Sequence, residues 1–271
     1  SRLRGLLREV DPDFIYLNSL FSLPFTLWPL WMKARGQGQA QFILAPRGML
    51  HAGALQYKSL KKRLFLRLLR ALGWSRFIRF QATDAQEVLD IRRQIHPAAQ
   101  VVEVANFPVN CAQPPVPLEK EPGALRMVFI SRISPKKNLD FLLAVLSRVQ
   151  ARVVLDVYGP IEAQDYWEKC QKLIGELPAQ IEVNYCGELE YHEVNPALGR
   201  YHLFCLPTHG ENFGHAIFEA LAAGRPVLIS DCTPWRHLAA QQAGWDLPLS
   251  APEAYTARLE NIARMDQQTW K

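Results

Sequence analysis

The sequence lacks a hydrophobic run long enough to cross a membrane. The longest apolar stretch, residues 20–32, is short and contains two prolines, a serine and a threonine, whereas a spanning helix needs about 20 mainly apolar residues. Charged residues make up 21% and hydrophobic residues 49% of the 271 positions, which excludes a disordered chain, a collagen and a coiled coil. Repeats and low-complexity tracts are also lacking. The composition indicates a globular protein, and the length suits two domains.

Spacings typical of metal or redox sites are missing as well. The five cysteines (Cys111, Cys170, Cys186, Cys205 and Cys232) form no C-x-x-C pair. Because Cys186 and Cys205 lie in apolar, strand-like runs, we interpret the cysteines as reduced core thiols of a cytoplasmic protein. The histidines show no ligand spacing, and the only Asp-x-Asp precedes a strand. We expect no metal site and no cofactor.

Negative charge is scarce in the first part of the chain. Residues 1–110 hold 16 Lys and Arg against 7 Asp and Glu, a net +9, whereas the remainder holds 15 against 19, a net −4. This asymmetry predicts an anionic partner for the first part, or else a solvated basic face.

Strand-like apolar runs alternate with helical patterns along most of the sequence. The strands are predicted at 14–17, 41–45, 77–81, 101–104, 127–130, 153–158, 181–185, 203–206 and 226–229. Helices are predicted at 60–72, 138–150, 164–174, 213–223 and 235–243, among others. This alternation favours parallel sheets.

The fold class predicted is α/β, with two Rossmann-like doubly wound domains that face a cleft. The first domain is expected at residues 1–110, a proline-rich linker at 111–124 and the second domain at 125–271, since the prolines and the change of charge fall together. Ligands of such folds bind beyond the carboxyl ends of the strands.

Two loops of the predicted second domain carry suggestive chemistry. Arg132, Lys136 and Lys137 follow a strand and precede an apolar helix, where cations oppose the helix dipole but would help to hold an arriving phosphate. After a later strand come Glu211-Asn212-Phe213-Gly214-His215 and, further along the helix, Glu219. The two glutamates are eight residues apart, roughly 12 Å along a helix, a spacing that suits two parts of one long ligand.

These residues resemble the donor site of the family 4 retaining glycosyltransferases, which have the two-domain GT-B fold. The resemblance rests on Arg132 with Lys137 five residues later, and on Glu211-x7-Glu219 in a Glu-Asn-Phe-Gly setting. Residues 12–19 resemble the family's "PD" strand, and residues 45–50 and 58–63 resemble a branch of polysaccharide-assembly enzymes.

The resemblance implies a role for each residue of the set. Arg132 and Lys137 would hold the diphosphate of a nucleotide-sugar donor, and Glu211 would contact the transferred sugar; these three are the expected catalytic residues. Glu219 would bind the ribose, Asn212, Phe213, Gly214 and His215 would approach the phosphates and sugar, and the loops at Gly159 and Gly187 would line the nucleoside. The implied reaction is metal-independent transfer with retention to a saccharide or lipid-linked acceptor.

The acceptor side departs from the family pattern. Many members have a histidine in the loop after the second strand, where this sequence has Arg47, with His51 four residues on. Arg47 can bind a phosphate in a bidentate manner but is a poor general base, because it stays protonated. We expect both residues on the acceptor side, although a structural role remains open for His51.

The sequence starts at Ser1, close to the "PD" strand, whereas the family begins with an earlier strand and a glycine-rich loop. We therefore expect an incomplete first domain, in a fragment or a naturally truncated protein. A non-catalytic nucleotide-sugar-binding remnant is the alternative function. Nucleic acid is not the expected partner, since the basic residues alternate with leucines rather than with stacking aromatics.

The basic residues of 58–79 lie among leucines at steps of three and four residues. This pattern predicts a helix with an apolar face and cationic flanks. Two interpretations stay open: a core-facing helix with a basic exposed side, or a helix that lies on an anionic bilayer and makes the protein peripheral on the cytoplasmic face.

Overall fold

The computed structural model describes residues 2–36, 39–51, 55, 59–105 and 118–270. The chain divides into two compact units, residues 1–107 and 108–271. Residues 111–117 of the linker predicted at 111–124, including Cys111, lie outside the described residues. The relative placement of the two units, and with it the predicted cleft, stays a prediction.

The first unit is built on a four-stranded parallel sheet. Its strands are β1 (Phe14–Leu17), β2 (Gln41–Leu44), β3 (Ile78–Ala82) and β4 (Gln100–Glu103), and they lie in sequential order. Each strand is therefore followed by a crossover to its neighbour. The doubly wound arrangement predicted for this domain needs a reversal of strand order, and the described part of this sheet has none.

One helix of the first unit precedes β1, and the others lie in the crossovers between the strands. They are α1 (Arg2–Val10), α2 (Trp28–Ala34), α3 (Ser59–Ala71) and α4 (Ala85–Gln94). Asp84 caps α4, since its side chain accepts from the Glu87 amide at 2.8 Å. The core of the unit includes Phe42, Leu44, Leu69, Phe80 and Ile91, all almost fully buried.

The second unit is built on a six-stranded parallel sheet. Its strands are β5 (Ala124–Ile130), β6 (Arg152–Tyr158), β7 (Ile181–Tyr185), β8 (Leu203–Leu206), β9 (Val227–Ser230) and β10 (Gly244–Leu247). They lie in the order β10-β9-β8-β5-β6-β7. The chain moves outward from β5 through β6 to β7, and then returns to the other side of β5 for β8. This is the reversal of a doubly wound sheet.

In the described part of the second unit, six helices accompany the sheet. They are α5 (Leu139–Leu146), α6 (Gln164–Gly175), α7 (Tyr191–Leu198), α8 (His215–Ala222), α9 (Pro252–Arg264) and α10 (Gln267–Trp270). The central strands β8 and β9 are buried at every position and therefore on both faces, whereas the edge strands β7 and β10 have one buried residue each. This burial explains the continuous apolar sequence of β8 and β9. The expectation of parallel α/β sheets is confirmed.

The prediction of a helix at 235–243 is wrong. This segment forms turns, and His237 has a positive φ of 59° that an α-helix does not allow. The carboxylate of Asp246 holds the turns, since it accepts from the amides of His237 at 3.2 Å and Leu238 at 3.0 Å. Strand β10 and helix α9 were not among the predicted elements.

The cysteine interpretation is correct for two of the four described residues. All four are free thiols, with Cys170 and Cys205 buried and Cys186 and Cys232 exposed. Burial raises the pKa of Cys170 to about 11. Cys186 is exposed because it stands one residue beyond the end of β7, so it is not a core thiol.

No helix among the described residues is long and apolar enough to span a bilayer.

Candidate functional site

The reversal of strand order in the second sheet falls between β5 and β8. The loops that follow these two strands leave the carboxyl edge of the sheet side by side, one toward each face. This is where open α/β sheets bind their ligands, because the loops diverge and leave a crevice. The two loops are the ones that the sequence analysis singled out.

The loop after β5 is held to the loop after β8 by one side-chain and one backbone hydrogen bond. Residues 135–137 form one turn of 3-10 helix, and Asn138 follows with a φ of 63°. Its Nδ2 donates to the carbonyl of Pro207 at 3.0 Å, and the His209 amide donates to the carbonyl of Lys136 at 2.9 Å. Helix α5 starts only at Leu139, so the cations precede the helix rather than occupy its first turn.

Lys137 and Glu211 form a partly buried ion pair between these loops. The Nζ of Lys137 lies 2.6 Å from Oε1 of Glu211, and each side chain is only 11% exposed. Burying two charges costs free energy, which the mutual attraction offsets only in good geometry. Such a pair is a weak source of stability, so its position at the switch point favours a role in binding.

Further cations surround this pair. The pKa of Lys136 lies below its ordinary value because of desolvation, and the positive charges of Lys137 and Arg132 contribute in the same direction, whereas Glu211 opposes them. Cations that repel one another are expected where an anion binds, since the anion removes the repulsion.

Arg132 is directed to a different carboxylate. Its Nη1 donates to Oε1 of Glu162 at 2.8 Å, and both side chains are about half exposed. The loops after β5 and β6 are joined here, since Ile133 donates to the Pro160 carbonyl at 2.8 Å and accepts from the Glu162 amide at 3.1 Å. The structure therefore keeps Arg132 and Lys137 in one loop but pairs them with separate glutamates.

Gly159 and Gly187 lie next to each other at the same edge. The amide of Gly159 donates to the carbonyl of Gly187 at 2.8 Å. A Cβ at Gly159 would lie 2.0 Å from the carbonyl oxygen of Ser131, so this glycine is required for packing against the end of β5. A Cβ at Gly187, by contrast, would meet nothing within 4 Å. Only Gly187 thus has open space beside it for a ligand.

The loop after β8 leads into α8 through a tight turn. Gly214 has a φ of 82°, and a Cβ there would lie 2.8 Å from Cδ1 of Ile217, so the turn requires glycine. The ring of Phe213 packs at centroid distances of 4.9 Å from His215 and 5.5 Å from Trp235. His215 is exposed and Asn212 is half-buried.

Glu219 lies in the second turn of α8 and is half-buried. Within the described part of the chain, no hydrogen bond or ion pair to its carboxylate is found. Burial raises the pKa of Glu219 above its ordinary value, because desolvation disfavours the charged form. A half-buried carboxylate with acceptor capacity to spare can bind the hydroxyl groups of a ligand.

The expected acceptor-side residues belong to a polar network at the carboxyl edge of the first sheet. Arg47 has a φ of 52°, and its guanidinium donates to Oδ1 of Asn18 and to the hydroxyl of Tyr16, both at 3.0 Å. The Tyr16 hydroxyl in turn donates to Oε1 of Gln81 at 2.8 Å. The network joins positions on or beside β1, β2 and β3, so Arg47 is firmly oriented.

His51 lies in the turn that follows Arg47 and pairs with helix α4. Its Nδ1 lies 2.5 Å from Oδ2 of Asp90, with side-chain exposures of 30% and 13%. Nearby, the fully buried carboxylate of Glu87 accepts from the Gly48 amide at 2.6 Å and from the Thr83 amide at 2.8 Å. The histidine is therefore oriented by a carboxylate, and the turn that carries it is fixed to α4.

Sequence reasoning missed three residues of the site in the second unit. Glu162 pairs with Arg132, Asn138 ties the two loops together, and Trp235 packs on Phe213. Of these, only Asn138 carried a local signal, because asparagine tolerates a positive φ just before a helix. Among the described residues, no group of three or more His, Cys, Asp or Glu side chains is placed to hold a metal ion.

Comparison with known proteins gives matches in sequence and in fold. A family model described as "Glycosyl transferases group 1" matches residues 115–268. The phosphatidyl-myo-inositol mannosyltransferase of Mycolicibacterium smegmatis is 30% identical over 173 residues, which cover 61% of this chain and 42% of that protein. The chain thus spans less than half the length of this relative.

Solved structures resemble nearly the whole chain. Sucrose-phosphate synthase from Thermosynechococcus elongatus has a TM-score of 0.74 and 17% identity, covering 99% of this chain and 70% of that one. The Anabaena protein HepE in complex with UDP and glucose has a TM-score of 0.66 and 17% identity, covering 100% of this chain and 79% of that one. At this level of identity the likeness shows a shared fold.

Proposed function

Because the chain belongs to the group 1 glycosyl transferases, we propose that its second unit binds a nucleotide-sugar donor for glycosyl transfer. The observation that carries this proposal is the partly buried pair of Lys137 and Glu211 at the point where strand order reverses. One cation and one carboxylate, held by two adjoining loops, can bind the two chemically different parts of such a donor, its phosphates and its sugar hydroxyls.

Each half of the donor has matching groups in the structure. The diphosphate carries negative charge, which Lys137 and Arg132 can neutralise as the sugar departs. Glu211 can then accept hydrogen bonds from hydroxyls of the transferred sugar, while the half-buried Glu219 accepts those of the ribose. The open space at Gly187, beside Gly159, suits the nucleoside. Asn212, Phe213, Gly214 and His215 lie between the two glutamates and complete the proposed donor site.

Charge neutralisation by these side chains leads us to propose a reaction that needs no metal and retains the configuration of the sugar. The acceptor is proposed to be a saccharide or a lipid-linked saccharide, as in the assembly of polysaccharides and glycolipids. Arg47 and His51 are proposed to act on the acceptor side, where Arg47 suits an acceptor phosphate. The relative's name, a phosphatidyl-myo-inositol mannosyltransferase, supports a lipid acceptor.

The test is a thermal-shift screen of nucleoside diphosphates and nucleotide-sugars with the purified chain. A ligand present at a hundred times its Kd stabilises the folded state by about 2.7 kcal/mol, a readily measured shift. We expect stabilisation by one nucleoside diphosphate and its sugar conjugate, unchanged by a chelator. No stabilisation by any of them would contradict the proposal.

A product assay with the best donor separates the enzyme from the alternative, a binding remnant without activity. Transfer to a glycolipid or saccharide acceptor, with the anomeric configuration kept, would support the full proposal. Donor binding without product would support the remnant. Product of inverted configuration would overturn the proposed retention.

A further inference from the structure

Helix α3 has two apolar faces, and only one of them meets the core. Phe65, Leu66 and Leu69 are 9%, 4% and 0% exposed and pack into the first unit. Leu60, Leu64 and Leu68, which we call the outer leucine row, are 80%, 69% and 44% exposed. The sequence pattern had left a core-facing helix and a membrane helix as alternatives, but the structure gives separate leucines to each face.

The outer leucine row forms one continuous strip. Residues four apart lie one above the other on a helix, so the three side chains extend over roughly 12 Å of the helix axis. Single exposed leucines are ordinary on a protein surface, whereas a contiguous apolar patch marks a contact with another molecule or with a membrane.

Cations flank the row on both sides. At about 100° per residue, Lys61 lies on one side of the row, and Arg63 and Arg67 lie on the other. All three residues are exposed. An apolar strip between two lines of cations is the surface that adsorbs to an anionic bilayer, with leucines among the acyl chains and cations at the headgroups.

The surrounding sequence contains no opposing charge. Between Asp13 and Asp84 there is no Asp or Glu, while eleven Lys and Arg residues occur there. An acidic protein partner would explain the cations but not the exposed leucines between them. A nucleic acid would need stacking aromatics among the cations, and α3 presents leucines instead.

A second exposed apolar segment adjoins α3. The ring of Phe21 contacts Phe65 of α3 with a centroid distance of 5.3 Å and lies 5.4 Å from the Nζ of Lys62. Just beyond it, Leu23 and Phe25 are 68% and 70% exposed. The exposed apolar surface of the first unit is thus larger than the outer leucine row.

We propose that the outer face of α3 docks the protein on an anionic lipid bilayer, with the leucines inserted and Lys61, Arg63 and Arg67 at the headgroups. The binding is reversible, because a few cations and three leucines are far from the apolar area of a spanning helix. Attraction to the headgroups is screened within a Debye length, so it weakens as salt is added.

The experiment is sedimentation of the purified chain with vesicles of phosphatidylcholine alone or of phosphatidylcholine with phosphatidylglycerol. One variant changes the outer leucine row (L60Q, L64Q and L68Q) and a second changes the cations (K61Q, R63Q and R67Q). A matched control changes Leu89, which is 58% exposed on α4, together with the exposed Arg92 and Arg93 (L89Q, R92Q and R93Q). Because all of these side chains are exposed, the variants are expected to fold, and their unfolding curves check this.

We expect recovery only with the anionic vesicles and a decrease with added salt. Removing three surface cations should lower the partition coefficient by on the order of 100-fold. The leucine variant should lower the partition coefficient as well, whereas the control variant should bind as the original chain does.

Equal binding to both vesicle types, or none to either, would overturn the proposal. So would a loss caused only by the cation variant, which would show that the leucines do not insert and that the cations alone adsorb to an anionic surface. A dimer that the leucine variant converts to a monomer would assign the surface to a second copy and would likewise overturn it.

Discussion

Lys137 and Glu211 are 74 residues apart in sequence, yet their charged atoms lie 2.6 Å apart where the strand order of the second sheet reverses. Each charge compensates the other in a partly buried position. A ligand phosphate would compete with Glu211 for Lys137, and a sugar hydroxyl would compete with Lys137 for Glu211. Substituting one member at a time therefore separates the two halves of the proposed ligand.

Lys137→Ala should weaken the binding of a nucleoside diphosphate by about 1.5–3 kcal/mol, the contribution of one charge-assisted contact. Titration calorimetry measures the loss, with Lys136→Ala as the matched control. Lys136 lies beside Lys137, but its side chain is more exposed, and its hydrogen bond to His209 uses the backbone carbonyl, so this variant should lose only the weaker attraction of a neighbouring charge. Equal losses from the two variants would show that Lys137 has no special contact with the phosphates.

Glu211→Gln should have a selective effect. It removes the charge that pairs with Lys137, so the lysine remains available and binding of a free nucleoside diphosphate should stay nearly intact. Binding or transfer of the nucleotide-sugar should fall, because the amide replaces a carboxylate that accepts hydrogen bonds from sugar hydroxyls. Competition assays with both ligands measure the difference. If free diphosphate binding fell just as far, Glu211 would be acting on the phosphates through Lys137.

Local sequence was sufficient to predict most of the strands, and it placed the candidate donor-site residues in two loops that the structure brings together. The strands 14–17, 181–185 and 203–206 were predicted with the bounds that the structure shows, because continuous apolar runs between turn residues depend little on distant contacts. The segment 235–243 could not be predicted in this way. Its turns are held by Asp246, whose carboxylate comes from a strand that the sequence did not reveal.

The pairing of side chains could not be predicted from local sequence either. The pattern placed Arg132 and Lys137 in one anion-binding loop, but it gave no sign that Glu162 would pair with Arg132. That contact depends on the short parallel bridge between Ile133 and Ile161, which brings the loop after β6 beside the loop after β5. The leucines of α3 are a second example. Their spacing is visible in the sequence, but which of them face the core and which face outward is not.

Gly159→Ala and Gly187→Ala should differ in their effect on stability. At Gly159 the new Cβ would lie 2.0 Å from the Ser131 carbonyl oxygen, so strands must move apart and the free energy of unfolding should fall by about 3 kcal/mol or more. At Gly187 there is open space, and the cost is only that of a positive φ, about 1–2 kcal/mol. Urea unfolding of both variants measures this. Similar losses would mean that the end of β6 can adjust to a side chain.

Glu219→Gln should stabilise the fold while it weakens nucleotide binding. Burial raises the pKa of Glu219, so at pH 7 the folded protein holds a carboxylate whose charged form is less favourable than in the unfolded chain. A group with a raised pKa loses its contribution to stability as pH rises through the folded value. The neutral glutamine avoids this loss, so the variant should be more stable at pH 7. At about pH 4, below the ordinary glutamate pKa, the acid is mostly protonated in both states and most of the gain should vanish.

Urea unfolding at both pH values tests the stability of this variant, with Glu176→Gln, at an exposed glutamate that follows α6, as the control that should change little at either pH. Calorimetry at pH 7 should show weaker binding of the nucleoside diphosphate, because glutamine offers one neutral acceptor oxygen where the carboxylate offers two charged ones to the ribose hydroxyls. If the variant is more stable but binds the nucleotide less tightly, the carboxylate of Glu219 serves ligand binding rather than folding. If Glu219→Gln gained no stability at pH 7, or gained as much at pH 4, the carboxylate would not be desolvated in the folded protein. Unchanged nucleotide binding would remove Glu219 from the proposed site.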